Sequence, residues 1–189
     1  MPIEERLQAL LAAGQASEAV AEGLREVGPV TLRYLRSLLH DEDEAADAFS
    51  VFAENFWRGL PGFRFGSSLR TWSYRIAWNA AQNLRNAAWK RHGRRFASGE
   101  ASAIAEEIRT RSAEGVSRQR SALDRIRDSL PDEDRSLLAL RIDQGLSWAE
   151  IAEILSEEGR PVQANTVTKR FERLKSRLAE LADQHGLEE

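Results

Sequence analysis

The sequence of 189 residues contains no cysteine and no long apolar segment. Without cysteine the chain cannot form disulfides, zinc thiolate sites or a thiol nucleophile, which fits a reducing compartment. No segment approaches the roughly 20 apolar residues of a membrane-spanning helix, and the N-terminus lacks the layout of a signal peptide. We therefore expect a cytoplasmic protein without a membrane span.

Patterns typical of catalysis and metal binding are also missing. The three histidines, His40, His92 and His185, are isolated, and no metal-ligand spacing accompanies them. The sequence holds no phosphate-binding glycine loop, nucleophile elbow or zincin motif. These absences predict a protein that is not an enzyme and that uses no metal or cofactor.

Strand signals are scarce, because no convincing run of alternating β-branched residues occurs. The Ala, Leu, Glu and Arg content favours helix, and the five prolines lie mostly between helical patterns. The pattern predicts an all-α fold that begins with helices over 3–12, 16–26, 29–39, about 41–60 and about 68–90. A partly helical linker rich in Ala, Ser, Gly, Glu and Arg follows, and a second compact unit begins near Ala122.

The second unit has the pattern of a helix-turn-helix. Ser147 and Glu150 form a capping box before a short apolar stripe, and Asn165 can cap a last helix with basic residues near its start. The residues of this last helix that we expect to face inward are Val167, Phe171, Leu174, Leu178 and Leu181. In such a motif the start of the last helix enters the major groove of DNA. The groups that we expect to contact DNA are Gln163, Asn165, Thr166, Thr168, Lys169, Arg170 and Arg173. A helical hairpin with a charged surface is the alternative.

Acidic residues are absent from 45 consecutive positions, residues 55–99, which hold nine basic residues. The formal net charge of -3 conceals this segregation, because residues 1–54 carry 4 basic and 11 acidic groups and residues 130–189 carry 8 and 13. The mild overall acidity argues against nucleic acid, whereas the basic segment indicates a polyanionic partner.

Within the basic segment, the helix predicted over 68–90 has two distinct faces at about 100° per residue. Leu69, Trp72, Ile76 and Leu84 belong to an ordinary core stripe. The opposite face, which we expect to meet water, collects Tyr74, Arg75, Trp78, Gln82, Arg85, Asn86 and Trp89. This mixture suits unpaired nucleic acid, since rings stack on bases, Arg pairs with phosphate and amides bind base edges.

Structural explanations of the same residues stay open. Trp78 and Trp89 could pack on the preceding helix or the linker, and Arg91, Arg94 and Arg95 could form a solvated helix end. The absence of carboxylates over 45 positions favours nucleic-acid binding over these alternatives.

Several motifs resemble one family. Residues 68–79, SLRTWSYRIAWN, resemble the S-L-R-x-W-x-x-R-I-A-x-N segment of bacterial RNA polymerase sigma factors of the extracytoplasmic-function (ECF) group. Residues 47–60 resemble the helix of these proteins that docks on the polymerase clamp. Residues 130–133, 147–152 and 166–170 resemble their fourth domain.

The resemblance implies an all-α sigma factor with two small helical domains, sigma domain 2 and the helix-turn-helix sigma domain 4, joined by a flexible linker. Such a protein binds core RNA polymerase at the β′ clamp and the β flap. It directs promoter-specific initiation by recognising the -35 duplex and the melted -10 element. An anti-sigma factor or another regulator is a further partner to expect. The implied ranges are an N-terminal helical extension 1–27, domain 2 at 28–95, the linker 96–121, domain 4 at 122–183 and a tail 184–189.

The resemblance also implies individual contacts. Contacts to the -10 element are expected from Arg64, Arg70, Trp72, Arg75, Trp78, Asn79, Gln82, Arg85, Asn86, Trp89, Lys90 and Arg91. Contacts to polymerase are expected from Asp47, Phe49, Ser50, Glu54 and Trp57. The sequence departs from the family at 46–53, which read ADAFSVFA instead of a pattern like E-D-L-V-Q-E-T-F. It also departs in the turn 156–165, about five residues longer than usual.

Two functions of other kinds remain open at this stage. A stand-alone helix-turn-helix regulator would bind duplex operators without polymerase, but it would leave the aromatic and basic helix of the first unit unexplained. An all-helical interaction adaptor would dock its basic segment on an acidic partner and bind nucleic acid weakly, without regard to sequence. Copurification with polymerase subunits would discriminate between these functions and a sigma factor.

Overall fold

The protein folds into two helical units, Met1–Val116 and Ser117–Glu189, in a computed structural model. The structure describes residues 1–39, 41–85, 99–113, 122–156 and 159–184. Over these ranges regular structure is helical, apart from one isolated bridge residue at Arg160, so the predicted all-α class is confirmed. None of the described helices is long and apolar enough to cross a membrane.

The described part of unit 1 is a bundle whose centre is formed by three helices. They are α2 (Ala16–Leu38), α3 (Glu42–Gly59) and α4 (Leu69–Arg85), and each packs on the other two. Helix α1 (Ile3–Ala12) lies on α2, and helix α5 (Gly99–Ala113) lies on both α2 and α3. A short 3-10 turn, Leu60–Gly62, follows α3 directly.

Aromatic side chains fill the centre of this bundle. Tyr34 of α2 and Tyr74 of α4 are fully buried, with an edge-to-face contact between ring centroids 5.2 Å apart. Phe49, Phe52 and Phe56 line the inner face of α3 at successive helical turns, and each is fully buried. Such rings bury large apolar areas, so they fix how the three helices pack.

Helix α2 is continuous through Pro29, where the sequence predicted a break between two helices. Proline removes one backbone hydrogen bond of a helix, but Pro29 lies on the exposed face, where water can satisfy the carbonyl left over. Leu24, Val27 and Thr31 on the other side are buried, and their packing holds the helix together across the proline.

The predicted linker contains a packed helix. Helix α5 buries Ala101, Ile104, Ala105 and Ile108 in unit 1, where it packs on α2 and α3. Ile108 fits because position 28 of α2 is glycine: a Cβ there would lie 2.5 Å from its Cδ1 atom. Residues 96–98 and 114–121 of the predicted linker lie outside the described residues.

In its described part, unit 2 comprises helices α6 (Ala122–Asp128), α7 (Asp132–Leu138), α8 (Trp148–Leu155) and α9 (Ala164–Gln184). Helix α7 continues into a π-helical turn, Ala139–Asp143. The predicted capping box is present at the start of α8, where Ser147 and Glu150 exchange hydrogen bonds. Helix α9 packs on α8 and α7, which gives the arrangement that the sequence predicted for a helix-turn-helix.

Candidate nucleic-acid interface

Helix α4 carries the first candidate surface, and its start is fixed by two caps. The Ser68 Oγ atom accepts a hydrogen bond from the Thr71 N–H group at 3.0 Å. The Glu4 carboxylate of α1 accepts another from the Leu69 N–H group at 2.9 Å. The first N–H groups of a helix have no partner within it, so both bonds stabilise this end.

The expectation that Tyr74 and Trp78 face water is wrong. Tyr74 is 0% exposed and Trp78 is 3% exposed. Helix α4 packs on both α2 and α3, and its buried face includes Tyr74 and Trp78. Trp72, Ile76 and Leu84 of the predicted core stripe are only half-buried. Burial raises the pKa of the Tyr74 hydroxyl. Neither ring is available in this structure to stack on a base.

Trp72 lies instead in a group of partly exposed rings at the edge of the bundle. Its ring stacks on Phe63 with centroids 4.6 Å apart and planes inclined by 21°. Phe63 in turn contacts Phe65 at 4.7 Å. All three side chains are half-buried, and we call them the aromatic rim. Gly59 lets Trp72 lie against α3, because a Cβ there would come within 3.0 Å of the ring.

The connection between α3 and α4 contains a strained residue. Phe65 has a φ of 54°, in the left-handed region that a side chain rarely adopts. Such strain persists only where the surrounding structure imposes it, and it is common at functional sites. Phe63 and Phe65 lie in a connection without periodicity, so no pattern in the sequence marks them as site residues.

Exposed polar groups surround the rim. Arg64 lies between the two phenylalanines, Arg70 and Arg75 are exposed on α4, and Asn79 is exposed one turn further along. The Arg70 guanidinium lies 5.7 Å from the centre of the buried Tyr74 ring. Segment 55–99 contributes no carboxylate, so these cations form a surface suited to a polyanion.

The remaining predicted contacts of this region divide into two groups. Gln82 is half-buried on α4. Asn86, Trp89, Lys90, Arg91 and the side chain of Arg85 lie outside the described residues.

Most of the residues predicted to contact polymerase are buried. Phe49 is part of the core, and Glu54 is 5% exposed and accepts a hydrogen bond from the Arg58 Nε atom at 2.9 Å. Ser50 lies under α5, where its Oγ atom accepts a hydrogen bond from the Arg109 Nη1 atom at 3.0 Å. The part of these three residues in polymerase binding stays a prediction, and in this structure all three are buried. The other two residues, Asp47 and Trp57, are half-buried.

Helix α9 carries the second candidate surface. It begins at Ala164, after the long turn, and the predicted inward residues Val167, Phe171 and Leu174 are confirmed as buried. Among the predicted DNA contacts, the exposed residues are Gln163, Asn165, Thr166, Lys169 and Arg173. Thr168 is half-buried, and its hydroxyl donates a hydrogen bond to the Ala164 carbonyl at 3.0 Å.

Arg170 differs from these residues because it connects α9 to α7. Its Nε atom donates to the Asp134 carboxylate at 2.7 Å, and its Nη1 atom is paired with Glu133. Burial alone would lower the pKa of Arg170, but the bonds to both carboxylates outweigh it and raise the pKa. Arg170 stays a predicted DNA contact, but its side chain already has two acidic partners.

The described residues contain no group of three or more His, Cys, Asp or Glu side chains that could hold a metal ion. Both candidate surfaces instead combine cations with rings or amides, which can bind nucleic acid without chemical change.

Comparison with known proteins yields a family and a fold. The family Sigma-70 region 2 matches residues 24–94, the segment that runs from α2 through the rim and α4. No curated protein matches the chain significantly. Among solved structures, it is similar to the sigma factor RpoE from Bartonella quintana, determined in complex with the anti-sigma factor NepR. The identity is 20% and the TM-score 0.56, over 85% of this chain and 94% of that chain, which shows a shared fold.

Proposed function

We propose that this chain, a sigma factor of the sigma-70 family whose region 2 spans residues 24–94, is a small ECF-type initiation factor of the cytoplasm. It binds core RNA polymerase and directs promoter-specific transcription initiation. Sigma factors act by binding and carry out no catalysis of their own. The observation that carries the proposal is the coincidence of the region 2 match with the aromatic rim and the carboxylate-free segment.

The rim and its cations are the groups that we assign to the melted -10 element. Phe63, Phe65 and Trp72 present partly exposed rings on which unpaired bases can stack, at about 1–3 kcal/mol per base. Arg64 and Arg70 lie close by in the sequence and can pair with the phosphates. Bases in duplex DNA stack on each other and cannot reach the rings. Binding at the rim therefore favours the melted state.

The exposed face of α9 is the part of unit 2 that we assign to the -35 duplex. Gln163, Asn165, Lys169 and Arg173 offer amide and cationic groups near the start of a helix, the geometry with which helix-turn-helix proteins enter the major groove. Each bidentate contact with a base contributes about 1–3 kcal/mol of discrimination. Arg170 connects this helix to α7 through Glu133 and Asp134.

Polymerase binding is assigned to the outer face of α3. Asp47 and Trp57 are the two predicted contacts that are not fully buried. Ser50 can join them only when Arg109 of α5 moves away from its hydroxyl. The structurally similar sigma factor was determined with an anti-sigma factor. We therefore include a protein regulator of that kind among the expected partners, beside polymerase and promoter DNA.

A reconstituted transcription assay tests the proposal. Purified chain and core polymerase are combined with a library of promoter fragments, and run-off products are compared with those of core polymerase alone. We expect new products from a subset of fragments and copurification of the chain with the core subunits. Tight sequence-specific binding to duplex DNA without polymerase, together with no copurification, would instead identify a stand-alone regulator.

A further inference from the structure

Helix α1 precedes the region 2 match and has no role in the function proposed so far, yet it packs on α2 and bonds to the first turn of α4, the helix that carries Trp72. Leu7 is fully buried, and a Cβ at Gly23 of α2 would lie 3.2 Å from the Leu7 side chain and 3.1 Å from Phe56. Leu7 and Phe56 therefore converge on the same glycine. Phe56 then contacts Trp72 of the rim, with ring centroids 5.2 Å apart. The packing is continuous from α1 to the rim.

A second connection runs through the backbone of α4. Glu4 accepts the Leu69 N–H bond at 2.9 Å across 65 residues of sequence. A carboxylate at this place satisfies a donor that the helix leaves unpaired and interacts favourably with the positive end of the helix dipole. Ser68 caps a different donor, the Thr71 N–H group, so the two acceptors are not redundant.

The Glu4–Leu69 hydrogen bond lies at the point where α4 meets the connection that carries the rim phenylalanines. Leu69 begins α4 and Trp72 lies one turn later, while the connection that carries Phe63 and Phe65 ends at the same place. Fixing the first turn of α4 therefore fixes the direction of Trp72 and one end of the strained connection. Glu4 is itself half-buried, and its carboxylate is bonded to the backbone of α4. It therefore supports the helix and does not contact DNA directly.

We propose that Glu4 is a positioning residue for the aromatic rim, and that α1 holds the rim in the geometry that accepts unpaired bases. Leu7 packs at the glycine that Phe56 also borders, and Phe56 contacts Trp72 of the rim. Glu4 supports the rim through the first turn of α4. This inference rests on the proposed function, because it deepens the account of -10 recognition.

The test uses holoenzyme assembled from core polymerase and the full-length chain. The variants are Glu4→Ala, Glu4→Gln and the control Glu5→Ala, which removes the same charge from an exposed neighbour on α1. Three affinities are measured for each: that of the chain for core polymerase, and those of the holoenzyme for a -35 duplex and for a single-stranded -10 oligonucleotide.

We expect Glu4→Ala to weaken binding of the -10 strand by roughly 3- to 30-fold, the range expected for loss of a helix cap. Core affinity and -35 affinity should stay within about twofold, because neither surface involves α1. Glu4→Gln keeps an oxygen acceptor and should recover most of the loss, and Glu5→Ala should behave as the unmodified chain does.

Three outcomes would overturn the inference. Unchanged -10 affinity in Glu4→Ala would show that the rim does not need the bond. A parallel fall of all three affinities would show general destabilisation. Equal effects of Ala and Gln would show that the charge rather than the hydrogen bond matters. A fourth outcome, in which the unmodified holoenzyme itself binds no -10 strand, would refute the proposed function and this inference with it.

Discussion

Replacing Arg170 by alanine tests whether this residue stabilises the fold of unit 2. The Arg170 side chain is 32% exposed and is bonded to Asp134 and Glu133. Losing one partner of a buried pair costs about 3–5 kcal/mol, and an exposed pair contributes less than about 1 kcal/mol. For this partly exposed pair we expect a loss of about 1–2 kcal/mol. In a domain of this size that lowers the melting temperature by roughly 5–15 °C.

The assay is thermal unfolding of the full chain by calorimetry, with Arg173→Ala as a matched control. Arg173 is exposed on the same helix, and within the described part of the chain its bond is a long one, 3.4 Å, to the Lys169 carbonyl. The control should melt within about 2 °C of the unmodified chain while the holoenzyme binds a -35 duplex about 5- to 100-fold more weakly. If Arg170→Ala left melting unchanged and weakened DNA binding as Arg173→Ala does, the structural assignment of Arg170 would be refuted.

Three further predictions concern other parts of the chain. Trp78→Ala should lower the free energy of unfolding of unit 1 by about 3–5 kcal/mol, because removing the buried ring leaves a large cavity. Denaturant unfolding measures this loss, and an unchanged unfolding midpoint would contradict the place of Trp78 in the core. Lys169→Ala should reduce the slope of log K against log salt for -35 binding by about one, whereas an unchanged slope would remove this residue from the phosphate contacts. Binding of core polymerase should speed amide hydrogen exchange in α5, because Ser50 can contact polymerase only after its hydrogen bond with Arg109 breaks. Unchanged exchange would place the docking surface elsewhere.

Local signals in the sequence were sufficient for much of the fold. The Ser147–Glu150 capping box predicted where α8 begins, and the spacing of Val167, Phe171 and Leu174 predicted the buried face of α9. Caps and stripes involve residues three or four apart, so their physics is contained in a short window of sequence. The resemblance of residues 68–79 to sigma factors was likewise local, and the family match agrees with it.

The parts of the site that the sequence did not predict depend on contacts between distant residues. Tyr74 and Trp78 are buried because α4 packs on two helices at once, and a helical wheel contains no information on the number of neighbours. The Arg170 side chain pairs with the carboxylates of two residues that lie 36 and 37 positions earlier in the sequence. Phe63 and Phe65 lie in a connection without a repeating pattern, so only the tertiary structure brings them to Trp72.

The central claim is that the aromatic rim holds unpaired bases of the -10 element. The most direct measurement is permanganate reactivity of thymines in a promoter bound by holoenzyme, with the unmodified chain compared with Phe65→Ala. We expect reactive thymines near position -10 with the unmodified chain, and a reduction of roughly 5-fold or more in the variant, because a stacking contact contributes about 1–3 kcal/mol. Core binding should be equal for both. Equal reactivity at equal core binding would contradict the account and place base capture elsewhere on the protein.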